Sequence, residues 1–410
     1  MLQTPIHPPL SGPSGRRVSL QAPGLLLVAL FAAGCAELGP TDPGSSLNAP
    51  TLGPPAQASI PGEIRVLTRN LYLGGDIGPI LAARSQEELL VVAATAWNQI
   101  QLTDYPARAG RLAEEIARTR PDLVGLQEVT RYTIGHLPPP EGEPFPTEPL
   151  LDFLPVLQAQ LAARGLVYEA VIRQPNIRVA LPVPIGDEIR RIGYEDSDAI
   201  LVRAGIPWAG ADARLFQAMP PLEFTAGIPF RRGWTQVDAQ VGGGWVRFVN
   251  THLEIQSFRL VQEAQTAELL AALADAPHPV ILVGDFNSAA NPSAPEDRKT
   301  GSYAQFLEAG FFDLWDRVDD PDGGLTCCHD PDLANPTADV LDQRLDIVFV
   351  RNRSRGSGFA GGSFTEVVGA SPEDRFQGSL EQPLWPSDHA GLAASVILPP
   401  SRVSIGGGGG

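Results

Sequence analysis

The stretch VGDFNS, residues 283–288, follows the apolar run VIL at 280–282. Aspartate and asparagine are poor strand formers, so their position at the end of an apolar strand needs a reason. Side chains two residues apart on a strand point to the same side of the sheet. On this pattern Asp285 and Asn287 face one spot at the end of a strand. Strand ends and the loops beyond them often carry binding and catalytic residues.

Apolar runs of strand length and amphipathic helical segments alternate along the rest of the chain. Strands are predicted at 64–70, 123–128, 166–173, 198–203, 234–240, 244–251, 279–285, 345–350 and 391–397. Helices are predicted at 108–120, 150–164, 258–276 and 302–309. Residues 174–197 are interpreted as a long loop whose apolar part either contacts a lipid or packs on the body of the protein. Pairs of strands between helices indicate two packed sheets flanked by helices, an α/β fold.

The two ends of the chain differ in composition from its middle. Residues 1–34 combine Arg16 and Arg17 with a short apolar run, the pattern of a secretory signal peptide. The ending FAAGC resembles a bacterial lipobox, which implies cleavage before Cys35 and lipidation of its thiol. An ordinary signal peptide cut near Ala36 and an uncleaved anchor remain alternatives. Residues 35–62 are interpreted as a flexible tether, 63–400 as one domain and 401–410 as a disordered tail. The expected location is the bacterial cell envelope, on the periplasmic or outer-membrane surface.

The formal charge of the 410-residue chain is −17. Such an acidic protein lacks the basic footprint that tight, non-specific nucleic-acid binding requires. A nuclease is still compatible with this charge, because a metal ion can supply local positive charge. The other cysteines, Cys327 and Cys328, are adjacent; a vicinal disulfide and two cysteines without a special role are both compatible with the sequence.

Polar residues recur where the predicted strands end. They are Asn70, Glu128, His252, Asp285, Asn287, Asp346, Asp388 and His389. Carboxylate and amide oxygens suit a hard divalent ion such as Mg²⁺ or Mn²⁺, and no His/Cys cluster in the sequence indicates zinc. Histidines supply proton transfer near neutral pH. A metal ion, amide donors and histidines together indicate phosphoester hydrolysis.

The ordered motifs TRNLYLG, LVGLQEV, NTHLE, VGDFNS, RLDIVFV and SDHAG resemble those of the endonuclease/exonuclease/phosphatase superfamily. The resemblance covers about residues 63–398. It implies a four-layer α/β/β/α sandwich of the DNase I type, with one active site at one edge of the two sheets. It also implies Mg²⁺-dependent attack of water on phosphorus.

The same resemblance implies roles for the metal-binding and water-activating residues. Glu128 is expected to be the principal metal ligand, and Asn70 to contact the metal or a phosphate oxygen. Asp285 is expected to orient or deprotonate the attacking water, while Asn287 donates a hydrogen bond to the phosphate. Asp388 is expected to support the metal site.

The resemblance implies roles for the histidines as well. His389 is expected to transfer a proton or stabilise the phosphate, oriented by Asp346, although the sequence does not settle whether Asp346 or Asp388 does this. His252 is expected to hold the phosphate or to protonate the leaving group.

The sequence is less informative about the substrate. Arg231 and Arg232 are the candidate substrate-binding residues, with a solvated surface as the alternative. Three substrates compete: a phospholipid head group, a small phosphate ester and nucleic acid. The acidic charge and the expected membrane anchor favour the first two. A non-catalytic binding lipoprotein on the same fold is the alternative from another class, and the protein is expected to be a monomer.

Overall fold

The computed structural model describes residues 60–222, 228–352, 360–378 and 382–397. The predicted signal peptide, Cys35, nearly all of the predicted tether and the predicted tail lie outside these residues. Within the described ranges, no helix is both long and apolar enough to cross a membrane.

Strands and helices follow one another along the chain in the order of their numbers within each class. The strands are β1 (Glu63–Asn70), β2 (Leu123–Gln127), β3 (Arg131–Gly135), β4 (Glu148–Asp152), β5 (Tyr168–Ile185), β6 (Glu188–Arg203), β7 (Trp208–Leu215), β8 (Gly233–Val241), β9 (Gly244–His252), β10 (Val280–Asp285), β11 (Phe312–Asp313), β12 (Asp346–Arg351), β13 (Ala360–Val368) and β14 (Gly391–Ile397). The helices are α1 (Gly78–Ala82), α2 (Gln86–Leu102), α3 (Tyr105–Thr119), α4 (Phe153–Ala163), α5 (Arg259–Leu273) and α6 (Gly301–Glu308).

The strands of the described residues form two mixed sheets. Sheet A has the order β13-β14-β1-β2-β6-β3-β4, with β5 on the other side of β6. Sheet B has the order β11-β12-β10-β9-β8-β7. Each sheet has one parallel pair near its centre, β1 with β2 and β9 with β10, so the two strands of each pair end at the same edge of their sheet.

Three apolar clusters hold the layers together. One packs α2, α3 and α4 on sheet A, a second fills the space between the sheets, and a third packs α5 and α6 on sheet B. The predicted inner face of α3 is buried at Ala109, Leu112, Ala113 and Ile116. The fold is therefore the four-layer α/β/β/α sandwich that the sequence predicted.

One predicted loop is a long hairpin instead. β5 and β6 pair from Tyr168–Arg203 to Ile185–Glu188, across a turn that contains Gly186 at a φ of +61°. The loop prediction for 174–197 was wrong because β5 contains several prolines, which normally exclude a central strand. β5 lies outside the main strand order of sheet A, and an edge strand tolerates proline because one side of its backbone need not donate to a neighbour.

Two buried features fix the strands beneath the site. Gly284 has no side chain because a Cβ atom there would lie 2.0 Å from the carbonyl oxygen of Thr251 on the parallel neighbour β9. Asn250 of β9 lies between the sheets, and its Nδ2 donates to the carbonyl oxygens of Leu126 and Ala199 at 2.9 and 3.2 Å. Its Oδ1 accepts from Gln127 Nε2 at 2.5 Å, so this one side chain bonds sheet B to two strands of sheet A.

Candidate active site

The polar strand ends meet at one edge of the sandwich. Asn70 ends β1, beside the end of β2, and Asp285 ends β10 between His252 and Asp346. His252 ends β9, parallel to β10, and Asp346 begins the antiparallel β12 at the same edge of sheet B. The 3.3 Å contact between Asn70 Nδ2 and Asp285 Oδ2 joins this edge to the end of β1 in sheet A. The loop before β14 adds Asp388 and His389, so both sheets contribute side chains to one site.

The ends of β1 and β10 use the same local turn. Asn70 Oδ1 accepts from the backbone N–H of Tyr72 at 2.9 Å, and Asp285 Oδ1 accepts from the N–H of Asn287 at 2.9 Å. Tyr72 and Asn287 both have positive φ, +57° and +48°. In each turn one side-chain oxygen is held by the backbone, so the second atom, Nδ2 or Oδ2, faces the site.

This turn changes the explanation of the GDFN motif. The strand ends at Asp285, and Asn287 lies beyond it in the left-handed region, so the alternation expected for the two side chains does not apply. Asn287 Nδ2 donates to the carbonyl oxygen of Leu253 at 3.1 Å. The asparagine is therefore suited to its place by its tolerance of positive φ, and it secures the loop after β9 to the end of β10.

Asp285 Oδ2 is the centre of the site. It lies 3.3 Å from Asn70 Nδ2, 3.4 Å from His252 Nε2 and 3.8 Å from His389 Nε2. Burial raises the pKa of Asp285 to about 6, with the positive charge of His389 opposing that rise and the carboxylate of Asp346 adding to it. A carboxylate with this pKa is mostly ionised at pH 7 and is a stronger base than an exposed aspartate.

His389 is paired with a carboxylate. Its Nδ1 lies 2.8 Å from Asp346 Oδ2, the contact that the orienting role of Asp346 requires. Burial alone would lower the pKa of His389, but the carboxylates of Asp346 and Asp285 outweigh it and raise that pKa well above its ordinary value. At neutral pH the ring is an imidazolium.

His252 has the opposite charge state. Its Nδ1 lies 2.9 Å from Nη1 of Arg232, and an arginine can only donate, so Nδ1 accepts and Nε2 carries the proton. Burial, with the positive charges of Arg232 and His389 adding to it, lowers the pKa of His252 well below its ordinary value. The two histidines beside Asp285 are thus one neutral and one cationic, although the sequence motifs present them alike.

Four acidic side chains line part of a cleft of about 240 Å³, which we call the catalytic cleft. Glu128, Asp388, Asp76 and Asp196 line it together with Arg232. Burial raises the pKa of Asp388 to about 7, and the nearby charge of Glu128 contributes to the rise. Several carboxylates close together in a cleft form an oxygen-rich site that suits a hard cation.

Asn70 and Glu128 are arranged differently from the expectation that both bind the metal. Asn70 Nδ2 donates to Glu128 Oε1 at 3.1 Å, and Glu128 Oε2 accepts from the N–H of Leu73 at 2.8 Å. The Tyr72 N–H fixes which way the Asn70 amide is turned, so Asn70 presents a donor, not a ligand oxygen, to the site. Glu128 has a φ of +54°, which turns its carboxylate towards the cleft at the end of β2.

Sequence reasoning missed a buried acidic pair on β6. Asn176 Nδ2 lies 2.9 Å from Asp198 Oδ2 and 3.4 Å from Asp196 Oδ2. Burial raises the pKa of Asp196 to about 6 and that of Asp198 well above its ordinary value. Asp196 reaches the catalytic cleft and belongs with the site. Two acidic residues spaced by one residue before the apolar run AILV were the available signal, because buried carboxylates on strands are rare.

The two candidate substrate-binding arginines are separated by the structure. Arg232 lines the catalytic cleft and contacts His252, whereas the side chain of Arg231 is exposed.

Cys327 and Cys328 are bonded to each other, and their sulfur atoms and a ring nitrogen of His389 lie within 4.8 Å of one another. Nothing in the sequence indicates this proximity, because Cys328 and His389 are 61 positions apart.

Comparison with known proteins places the chain in a family. The sequence pattern of the Endonuclease/Exonuclease/phosphatase family matches residues 95–389, well over half of the chain. No curated protein matches the chain significantly. A solved endonuclease/exonuclease/phosphatase structure from Beutenbergia cavernae is 22% identical, covers 83% of this chain and 73% of its own, and has a TM-score of 0.51.

Two further solved structures have the same general resemblance. A family protein from Bacteroides thetaiotaomicron is 15% identical, with 82% of this chain and 98% of that chain covered and a TM-score of 0.48. A humanized D. rerio TDP2 is 15% identical, with 82% and 100% covered and a TM-score of 0.47. From the family match over residues 95–389, the chain belongs to the endonuclease/exonuclease/phosphatase family.

Proposed function

We propose that this protein is a Mg²⁺-dependent phosphodiester hydrolase whose substrate is a phospholipid head group or another small phosphate ester. Members of its family generally hydrolyse phosphoester bonds and typically use a divalent metal such as Mg²⁺. The observation that carries the proposal is the grouping of Asn70, His252 and His389 around Oδ2 of Asp285.

The cleft residues fit a divalent ion. Glu128 and Asp388 would hold it, because both carboxylates line the catalytic cleft and Asp388 has a raised pKa beside the charge of Glu128. Mn²⁺ would suit the same oxygen donors. When bound, the ion would stabilise negative charge on the phosphoryl oxygens.

Asp285 is the proposed base for the attacking water. Its carboxylate is oriented by the Asn287 N–H through Oδ1, and Oδ2, which faces Asn70 and both histidines, is the oxygen that would accept a proton from the attacking water. A pKa of about 6 keeps it ionised at neutral pH while increasing its basicity.

The two histidines have separate proposed tasks. His389, held by Asp346 and charged at neutral pH, stabilises a phosphoryl oxygen or donates a proton to the leaving group. His252 can donate a hydrogen bond only from Nε2–H, because its Nδ1 accepts from Arg232. A neutral ring with a depressed pKa is a poor proton source for the leaving group. Of the two roles expected for His252, holding the phosphate is the better supported.

Charge favours a small or lipid ester over nucleic acid. The chain has a formal charge of −17, and the catalytic cleft combines several carboxylates with Arg232. A nucleic-acid backbone would meet this negative field over many phosphates, whereas a single diester needs one compensated point.

The first test is hydrolysis of bis(p-nitrophenyl) phosphate by the purified protein with Mg²⁺, with EDTA, and with Mg²⁺ restored. Plasmid nicking is followed in parallel. We expect metal-dependent release of nitrophenolate, an intact plasmid and no turnover by Asp285→Asn. Asp275→Asn, a change of the same kind at an exposed position, should retain activity.

Each other outcome identifies a different function. Metal-dependent nicking of the plasmid would make the protein a nuclease. Folded protein that turns over neither substrate would favour a non-catalytic binding role.

We also propose that Cys35 carries a lipid that anchors the enzyme in the bacterial cell envelope. The support is the FAAGC ending of the apolar run. Mass spectrometry of the mature amino terminus should find a lipid on Cys35. When cells are fractionated, Cys35→Ala should appear with the soluble proteins and not with the membranes. An unmodified terminus elsewhere would contradict the anchor without affecting the proposed chemistry.

A further inference from the structure

A second pocket, which we call the apolar pocket, lies beside the catalytic cleft. It has a volume of about 70 Å³, and the described residues that line it are all aliphatic or aromatic. α1 and α2 form one wall, with Trp97 the largest side chain there, and the β5–β6 hairpin forms another with Val179 and Leu181. Trp97 and Leu181 are only partly buried, so the pocket is open to solvent.

The apolar pocket and the catalytic cleft share a wall. Leu73, Ile77, Tyr194 and Phe230 line both. Leu73 is also bonded to the catalytic carboxylate, because its backbone N–H donates to Glu128 Oε2 at 2.8 Å. Leu73 therefore lies between an apolar group in the pocket and Glu128, the proposed metal ligand.

The apolar pocket also presents the ring of Tyr132, whose hydroxyl is already hydrogen-bonded. Tyr132 Oη donates to the Leu73 carbonyl oxygen at 2.8 Å, so the Tyr132 ring and not its hydroxyl faces the pocket. Its ring contacts Trp97 edge-on at 5.6 Å and Tyr194 at 5.8 Å between centroids. These three rings lead from the pocket to the cleft and offer a ligand apolar surface in place of hydrogen bonds.

We propose that the apolar pocket binds an alkyl chain esterified to the phosphate that is hydrolysed in the catalytic cleft. This inference rests on the proposed function, since it assigns a substrate class to the same site. An apolar surface beside a charged cleft gains free energy only from a ligand with both characters. A phosphodiester with one alkyl chain has both, with its phosphate in the catalytic cleft and its chain at Trp97 and Leu181.

The test uses p-nitrophenyl alkyl phosphates in which the alkyl group is methyl, butyl, hexyl or octyl. Turnover is followed by chromatography, so that release of either alcohol is counted. We expect kcat/KM to rise with chain length, by at most about fourfold for each fully buried methylene, and to level off once the pocket is filled. A kcat/KM that does not change from methyl to octyl would overturn the proposal.

Three hairpin variants distinguish binding in the pocket from general apolar adsorption. Leu181→Asn should lower the octyl-to-methyl ratio of kcat/KM, and Leu181→Met should restore it. Ile189→Asn is the matched control, because Ile189 lies on the same hairpin, is exposed and is not among the residues lining the pocket. If Ile189→Asn lowers the ratio as much as Leu181→Asn, the chain binds elsewhere.

A binding measurement keeps the pocket testable if no ester is cleaved. Octyl phosphate should change the fluorescence of Trp97, identified by loss of the change in Trp97→Phe, and methyl phosphate should not. If octyl phosphate binds but no ester is hydrolysed, the proposed function is rejected and the pocket is retained. Turnover of the methyl ester without any chain effect or octyl phosphate binding would reject the pocket alone.

Discussion

Asn70 Nδ2 lies 3.1 Å from Glu128 Oε1 and 3.3 Å from Asp285 Oδ2, so one amide group links a carboxylate of sheet A to a carboxylate of sheet B. The link requires the amide to be turned with its oxygen towards the Tyr72 N–H. Asn70 therefore lets two negative groups that serve different purposes lie close together without sharing a proton.

Replacing Asn70 should damage activity more than stability. Asn70→Ala removes the donor between the two carboxylates, and we expect kcat on a chromogenic diester to fall by roughly 10²- to 10³-fold. Asn291→Ala is the matched control: Asn291 is equally buried, and its amide contacts Ser293, Asp342 and Arg344. Both variants should lower the free energy of unfolding by about 1–3 kcal/mol, but only Asn70→Ala should lose activity. Equal kcat values for the two variants would contradict the role of Asn70.

Metal binding should depend on Glu128. Mg²⁺ that binds the folded protein raises its Tm, and Glu128→Gln should abolish that rise together with the Mg²⁺-dependent activity. The variant should melt near the metal-free wild type, because the glutamine retains the shape of the side chain. Glu148→Gln, at an exposed position on β4, should leave the Mg²⁺-induced rise unchanged. A full Tm rise in Glu128→Gln would move the metal to other carboxylates.

The charge of His389 should set the basic limb of the pH profile. Asp346 and Asp285 hold the pKa of His389 well above its ordinary value, so the imidazolium persists through neutral pH. Asp346→Asn removes one of these charges and lowers that pKa. Activity that needs the imidazolium should then be lost at a lower pH as the pH rises. The measurements are kcat/KM against pH and an NMR titration of the His389 ring; an unshifted basic limb would mean that His389 is not the ionising group.

The acidic pair on β6 should make the protein less stable as the pH rises from about 4 to 6. Burial raises the pKa of Asp196 from 3.8 to about 6, so in this range the folded state keeps a proton that the unfolded chain has released. The stability that the proton supplies is complete below pH 4 and is lost as the pH rises through the folded pKa, a change on the order of 3 kcal/mol.

Asp198→Asn tests this linkage. It removes the neighbouring carboxylate, so the free energy of unfolding at pH 7 should increase and its decline between pH 4 and 6 should become smaller. Chemical denaturation at several pH values provides the measurement. Asp187→Asn, in the exposed hairpin turn, should leave the decline as it is in the wild type. A stability decrease at pH 7 in Asp198→Asn would show that the ionised pair is held by contacts that outweigh its burial.

The part of the site that could be predicted from sequence is the part carried by strand ends. Polar residues that interrupt apolar runs identified Asn70, Glu128, Asp285 and His389, because a strand buried on both faces has few reasons to end on such side chains. The inner face of α3 was predictable for a similar reason, since helical spacing is visible within one short segment.

What the sequence could not supply were relationships between distant segments. Nothing in the NTHLE motif indicates that Arg232 holds His252 neutral, because that depends on how β8 and β9 pair. The orientation of the Asn70 amide depends on the positive φ of Tyr72, which no spacing rule predicts. α2 was missed because apolar residues lie on most of its sides, so its sequence lacks the helical period of apolar and polar residues that marks a surface helix. The β5–β6 hairpin was hidden by its prolines, which are excluded from most strands but not from an edge.

The bonds that Asn250 makes between the sheets have a consequence for the ancestry and engineering of this chain. β7–β12 of sheet B are consecutive in sequence, whereas sheet A is assembled from both ends of the described chain. Asn250 is satisfied in one alignment of the sheets, and sliding either by a residue would leave its buried amide without partners. A segment exchanged between relatives must therefore preserve both Asn250 and the atoms it bonds in sheet A. Otherwise the two halves of the site will not face each other. The loops can therefore be exchanged one at a time, whereas the two sheets must be exchanged together because the Asn250 hydrogen bonds join them.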